Sequence, residues 1–209
     1  MVWYNIPTIL KIWSEAKMNR RILNALLFSV LLCCILVSCG KKKIIVKGDL
    51  SGGIGELSID EIWEIDDNYT LVNEMGYYLS EKCNFGEDIQ RLSDAERIIY
   101  IVYTLEGEVN NGGFAQYFYN SSGDLGHELV SSFESIGAVK NAQICKKATS
   151  VFEGEYPKDR MARQAIMTAG ENEYFGNIWL DCDNEFFEYS EDTADMMYKF
   201  IMENKKDFS

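Results

Sequence analysis

Between residues 58 and 209 the chain contains a single proline, Pro157, and its apolar residues recur every three or four positions. Proline removes an amide that a helix interior needs, so one interruption in so long a stretch leaves room for a series of helices. Asn68 to Cys83 carries Leu71, Met75 and Leu79 at four-residue steps, with Val72 and Tyr78 widening the face. Ser93-Asp94-Ala95-Glu96 has the form of a capping box, in which the serine hydroxyl accepts from the third helical amide while Glu96 reaches back. Ile98, Val102, Leu105 and Val109 then line one face, and Asn110-Asn111-Gly112-Gly113 supplies residues that tolerate the geometry of a helix stop. A short aromatic helix with Phe114, Tyr117 and Phe118 follows, broken at 120–124. Leu129, Phe133 and Ile136 mark the next helix, closed by Gly137, and residues 139–152 make another. Pro157 sits where a helix can start, ahead of Met161 to Ala169. Phe186 and Phe187 head a last segment with Ala194, Met197, Tyr198 and Ile201 on one face, and Ser58 to Glu64 suits a short first helix. The expected fold is all-α, a compact single domain of six or seven helices over residues 58–209.

The N-terminal part has a different character. Asn19, Arg20 and Arg21 precede an apolar run, residues 22–38, that ends in Leu36-Val37-Ser38-Cys39. A basic start, an apolar stretch and a small residue before the cysteine form the layout of a secretory lipoprotein signal, with Cys39 the residue to be lipidated. A membrane-spanning anchor is the competing expectation, although about 17 residues is the lower edge of what crosses a bilayer. Met18 then reads as the initiator. The expected organisation is an extension and signal over 1–38, a Lys/Gly-rich tether over 39–57, and an acidic helical domain over 58–209. Lipid on Cys39 would hold the protein at the cell envelope, outside the cytoplasmic membrane; a cytoplasmic protein is the alternative.

Charge narrows the partners. Residues 1–47 hold eight Lys/Arg and one acid, whereas residues 48–209 hold 12 Lys/Arg against 32 Asp/Glu, a balance of −20. So acidic a domain repels phosphate backbones, which argues against direct nucleic-acid binding, and its field attracts basic protein surfaces. Cys83, Cys145 and Cys182 are widely spaced and His127 is the single histidine. That set makes neither a disulfide scaffold nor a His/Cys zinc site, and no cofactor or metal is expected. Asp181-Cys182-Asp183-Asn184-Glu185 offers alternate oxygens, but Phe186 and Asp192 stand where a calcium loop needs glycine and glutamate, so a helix start is the better reading. Nucleophile elbows, phosphate loops and His-Glu-x-x-His are not found, which favours a protein that is not an enzyme.

The densest information lies in Glu108, Asn110, Asn111, Gly112, Gly113, Phe114, Gln116, Tyr117, Phe118, Asn120, Ser121, Ser122, Gly123 and Asp124. Two helix ends and two helix starts within so few residues leave many backbone groups without intrahelical partners, and the amides and hydroxyls here are the side chains that satisfy them. The segment therefore reads as a structural knot of caps, with a polar pocket rimmed by Tyr117, Tyr119 and carboxylates as the functional alternative. The run Glu108-Val-Asn-Asn-Gly-Gly-Phe-Ala-Gln-Tyr-Phe-Tyr-Asn-Ser-Ser-Gly-Asp124, with Leu92 to Arg97, Gly137, Leu180-Asp181 and Phe186-Phe187, resembles the bacterial DNA-mimic protein family over about residues 60–208. The resemblance implies an acidic all-α domain. It also implies surface carboxylates that imitate the phosphates of duplex DNA and occupy the binding face of a DNA-binding protein.

The acids available for a partner-binding surface fall in two groups: Asp60, Glu61, Glu64, Asp66 and Asp67 near the start, and Asp181, Asp183, Glu185, Glu188, Glu191, Asp192 and Asp195 near the end. The expected function is non-enzymatic: docking of an envelope lipoprotein on a basic partner surface, with association of two copies compatible. The alternatives are a cytoplasmic DNA mimic that blocks a DNA-binding protein, and, less favoured, a hydrolase.

Overall fold

The computed structural model describes residues 57–169 and 173–209. Every described residue belongs to one compact unit. The signal segment, Met18, Cys39 and the tether up to residue 56 lie outside the described residues.

The described part is all-α, with eight α-helices joined by 3-10 turns. In chain order these are α1 (Ile59–Ile62), α2 (Asn68–Lys82), α3 (Asp94–Tyr119), α4 (Leu129–Ser135), α5 (Val139–Thr149), α6 (Arg160–Ala169), α7 (Glu173–Phe186) and α8 (Thr193–Glu203). Among the described residues none of these helices is long and apolar enough to cross a membrane.

Helix α3 is the axis. It packs against α2, α4, α6, α7 and α8, while α4 pairs with α5, α5 with α7, and α2 with α8. Its burial is correspondingly wide: Ile99, Ile101, Val102, Leu105 and Val109 are all buried, and Ile98 is only partly so. A single apolar stripe over Ile98, Val102, Leu105 and Val109 thus understates a helix wrapped on several sides. Its start is the Ser93–Glu96 capping box, with Glu96 N donating to Ser93 Oγ at 3.2 Å and Ser93 N to Glu96 at 2.9 Å. Glu96 is 1 % exposed and is neutralised by Lys82 at 2.8 Å.

The core ends in an aromatic cluster. Phe118 stacks on Trp179 with centroids 5.2 Å apart and meets Phe152 edge-on at 5.2 Å. The Trp179 indole donates to the Ala148 carbonyl at 2.9 Å, which ties α7 to α5.

One expectation needs correction. Asp181–Glu185 does not start a helix; it forms the last turns of α7, a helix that sequence reading did not delimit. Trp179, Cys182 and Phe186 all point into the core from it, and this apolar spacing outweighs the dipole preference of the acids. The misplaced negative charge is offset from outside, by Lys147 of α5, 2.8 Å from Glu185 and 3.8 Å from Asp181.

Candidate functional site

Two features stand out, a cavity built by the motif and a groove that gathers acids. The motif begins with a break. Gly112 and Gly113 interrupt α3, and Gly113 sits at φ 76°, ψ −179°, a region closed to other residues. A side chain there would also collide with the Asp183 carboxylate. The break turns the Phe114 amide outward to donate to Asp183 Oδ1 at 2.8 Å. Asp183 therefore caps the second half of α3 from α7, across 69 positions of sequence. Burial raises its carboxyl above the usual range, and the bond from the Phe114 amide acts the other way.

Past the break the chain folds back on Glu108. Its carboxylate accepts from Gln116 Nε2 at 2.6 Å, from Asn120 Nδ2 at 3.0 Å and from the Ser122 hydroxyl at 2.6 Å. A side chain at Gly112 would strike Gln116, so the glycine makes room for this return. Arg163 of α6, fully buried, closes the far end. It donates to the carbonyls of Phe118 and Asn120 at 3.0 and 2.9 Å and to Asp124 Oδ1 at 2.6 Å. Further bonds reach the carbonyls of Pro157 and Lys158. Tyr156 adds a bond from its hydroxyl to the Gly123 carbonyl at 2.6 Å. Asn110 Oδ1 accepts from the Tyr189 hydroxyl at 3.0 Å. Within the motif, then, Glu108, Gln116, Asn120, Ser122 and Asp124 are held in hydrogen-bond networks, while Phe114, Tyr117 and Phe118 are core.

A cavity of about 600 Å³ does open on this segment, but Tyr117 and Tyr119 are not on its wall. Tyr117 is 1 % exposed, and burial raises its phenol well above the ordinary range. Tyr100, Tyr103 and Phe85 supply the aromatic surface instead, with Glu108, Asn111 and Ser121 among the polar residues. Arg163, Tyr103 and the Asp183 cap were not apparent in the sequence, because each acts on a partner brought close only by folding.

The acids expected to form a docking surface divide by role. Glu61, Asp67 and Asp192 cap α1, α2 and α8, each accepting from an amide three residues ahead or through a capping box. Glu191 caps α5 from a distance, accepting from the Lys140 and Asn141 amides at 3.0 and 2.9 Å. Asp183 is spent on Phe114, and Asp181 and Glu185 face Lys147. Asp60, Glu64, Asp66 and Glu188 are exposed. The fold brings the two groups of acids together at one place: Asp66 and Asp67 share a groove of about 400 Å³ with Asp192 and Asp195. Lys199 answers Asp195 at 2.6 Å. Behind the groove, Glu106 of α3 is pushed up to about 7, chiefly by burial; a Thr193 hydrogen bond opposes this and the Asp192 charge adds to it.

Chemistry elsewhere is sparse. His127 Nε2 lies 3.1 Å from Glu128, and burial lowers its imidazole below the usual range. Cys83, Cys145 and Cys182 are buried free thiols, all raised by burial. Among the described residues no group of three or more His, Cys, Asp or Glu side chains is placed to hold a metal.

These features define an acidic, all-helical domain organised around a glycine-broken central helix. The family model of the DMP19-like proteins matches residues 90–204, more than half of the chain, and the chain belongs to that family. No curated protein matches it. No solved structure matches it either.

Proposed function

We propose that this chain is a non-enzymatic interaction protein whose acidic helical domain docks on a basic protein surface through the groove between α2 and α8. The observation that carries the reading is the convergence of Asp66, Asp67, Asp192 and Asp195 from opposite ends of the domain onto one groove. Carboxylates held close together concentrate a field that a basic partner answers, which steers encounter and sets salt dependence. The acids at this groove that cap helices, Asp67 and Asp192, are exposed, so capping fixes their positions at the surface.

Family membership gives a second reading specific support: the carboxylates imitate DNA phosphates and block a DNA-binding protein. The two readings differ in location. The first places the domain outside the cytoplasmic membrane on a lipid at Cys39, the second leaves it in the cytoplasm.

The test uses the full chain and a variant carrying Asp→Asn at 66, 67, 192 and 195. Asparagine caps helices about as well as aspartate, so the fold is retained while four charges go. Capture of basic partners by the wild type, weakened steeply by salt and lost in the variant, supports the docking reading. Capture that persists in 1 M salt or in the variant defeats it. Palmitate labelling with fractionation, comparing the wild type with Cys39→Ala, separates the locations: label and membrane association that vanish in the variant support the anchor, and an unlabelled cytoplasmic protein supports the DNA-mimic reading.

A further inference from the structure

We propose that the motif cavity is a receptor for a guanidinium head group. The reading does not rest on the acidic groove, since none of the groove's residues line this cavity.

The first argument is charge. Glu96, Glu128 and Asp124 each have a cation, in Lys82, Arg97 and Arg163, whereas the partly buried Glu106 and Asp183 have neutral partners, Thr193 and the Phe114 amide. Glu108 has three neutral donors, and among the described residues no cation lies within salt-bridge distance of it. Neutral donors fix a carboxylate in place but leave its charge uncompensated. No lysine, arginine or histidine lines the cavity. A carboxylate on a cavity wall that carries no cation favours a cationic ligand over phosphates and carboxylates.

The second argument is shape and surface. At about 600 Å³ the space is of the size that holds small ligands. Tyr100 and Tyr103 furnish aromatic wall, and Phe85, 61 % exposed, stands at the rim. Gln116 and Asn120 spend amide N–H groups on Glu108, which leaves their carbonyl oxygens outside that network, and Asn111 adds another amide. Aromatic faces, amide acceptors and one fixed carboxylate match a planar, weakly hydrated cation that stacks and donates at once. Arginine's head group has that chemistry, whereas an ammonium is a compact and strongly hydrated charge.

The test is calorimetric titration of the full chain, in neutral detergent at low salt, with n-butylguanidinium and with uncharged n-butylurea. Butylguanidinium is expected to bind with a dissociation constant on the order of 1 mM, as suits so small a ligand, and butylurea not to bind. Gly107 lines the cavity, and a side chain added there meets nothing within 4 Å. Gly107→Arg is therefore expected to fold and to abolish binding by bringing its own guanidinium, while Gly107→Ala binds as the wild type does. Glu108→Gln is expected to weaken binding about tenfold; should that variant not fold, the Gly107 pair decides. No binding of butylguanidinium, equal binding of butylurea, or unchanged binding by Gly107→Arg overturns the proposal. A last titration uses N-acetylarginine methylamide. Equal or tighter binding assigns the head group to a polypeptide side chain, and weaker binding assigns it to a free small molecule.

Discussion

Glu106 offers a quantitative check on how α8 seats against α3. Its carboxyl ordinarily titrates near 4.5 and is moved to about 7 here, with burial the largest cause. Because the folded state holds the proton more tightly than the unfolded one, this group costs no stability below pH 4.5. The penalty appears as pH rises and is complete above about 7. A displacement of that size corresponds to at most about 3 kcal/mol. Thr193 is set to partner either form: its hydroxyl accepts from Asn141 Nδ2 at 2.9 Å and hydrogen-bonds Glu106. Glu106→Gln keeps the shape and a hydrogen-bonding end but never ionises. It is expected to raise stability at pH 8 by about 2 kcal/mol, or roughly 4–8 °C in Tm, and to change little at pH 4.5. Urea unfolding of both proteins between pH 4.5 and 8 checks this. The difference between the curves isolates Glu106, since shifts at His127 and Asp183 are common to both. A constant offset at every pH, or a variant less stable at pH 8, would refute the reasoning.

Two further substitutions probe the knot at the break in α3. Gly113→Ala forces a side chain into a positive φ and onto Asp183, and is expected to cost about 2–4 kcal/mol in urea unfolding. Arg163→Met keeps bulk but strands the Phe118 and Asn120 carbonyls and leaves Asp124 without its cation; a loss of about 3–5 kcal/mol is expected, read by thermal unfolding. Arg163→Lys is expected to recover little of it, because one ammonium cannot span the five acceptors the guanidinium reaches.

What could be read from the sequence was local. The Ser93–Glu96 box, the stop at Gly112-Gly113 and the closure at Gly137 each depend on residues a few positions apart, and each appears in the structure. The same range limit explains what was missed. Asp183 reaches Phe114, Glu191 reaches Asn141 and Arg163 reaches Phe118 across 69, 50 and 45 positions, and no periodicity announces such bonds. Helix α7 is not delimited by the sequence because acids at 181–185 favour a helix start locally, while burial of Trp179, Cys182 and Phe186 makes them its last turns. The pocket was anticipated in kind but not in its walls. Tyr117 follows the core face of α3, and the tyrosines that line the cavity come from about three turns before the break.

Several acids of this domain cap helices, which offsets part of the cost of so much negative charge in a small fold. An isolated surface carboxylate adds repulsion and little else, but a carboxylate at a helix N-terminus satisfies backbone amides and meets the positive end of the dipole. Asp67, Glu191 and Asp192 each work this way, and two of them stand in the acidic groove. Their positions follow from helix geometry, not from flexible side-chain choice, so Asp67 and Asp192 are held in place at the groove. A partner that reads charge spacing needs such rigidity, because a pattern that must first be ordered loses affinity to the entropy of ordering it. Replacing these caps by alanine would therefore blur the surface as well as weaken the helices, whereas asparagine removes the charge alone. The Asp→Asn set at the groove is thus the variant that separates fold from recognition.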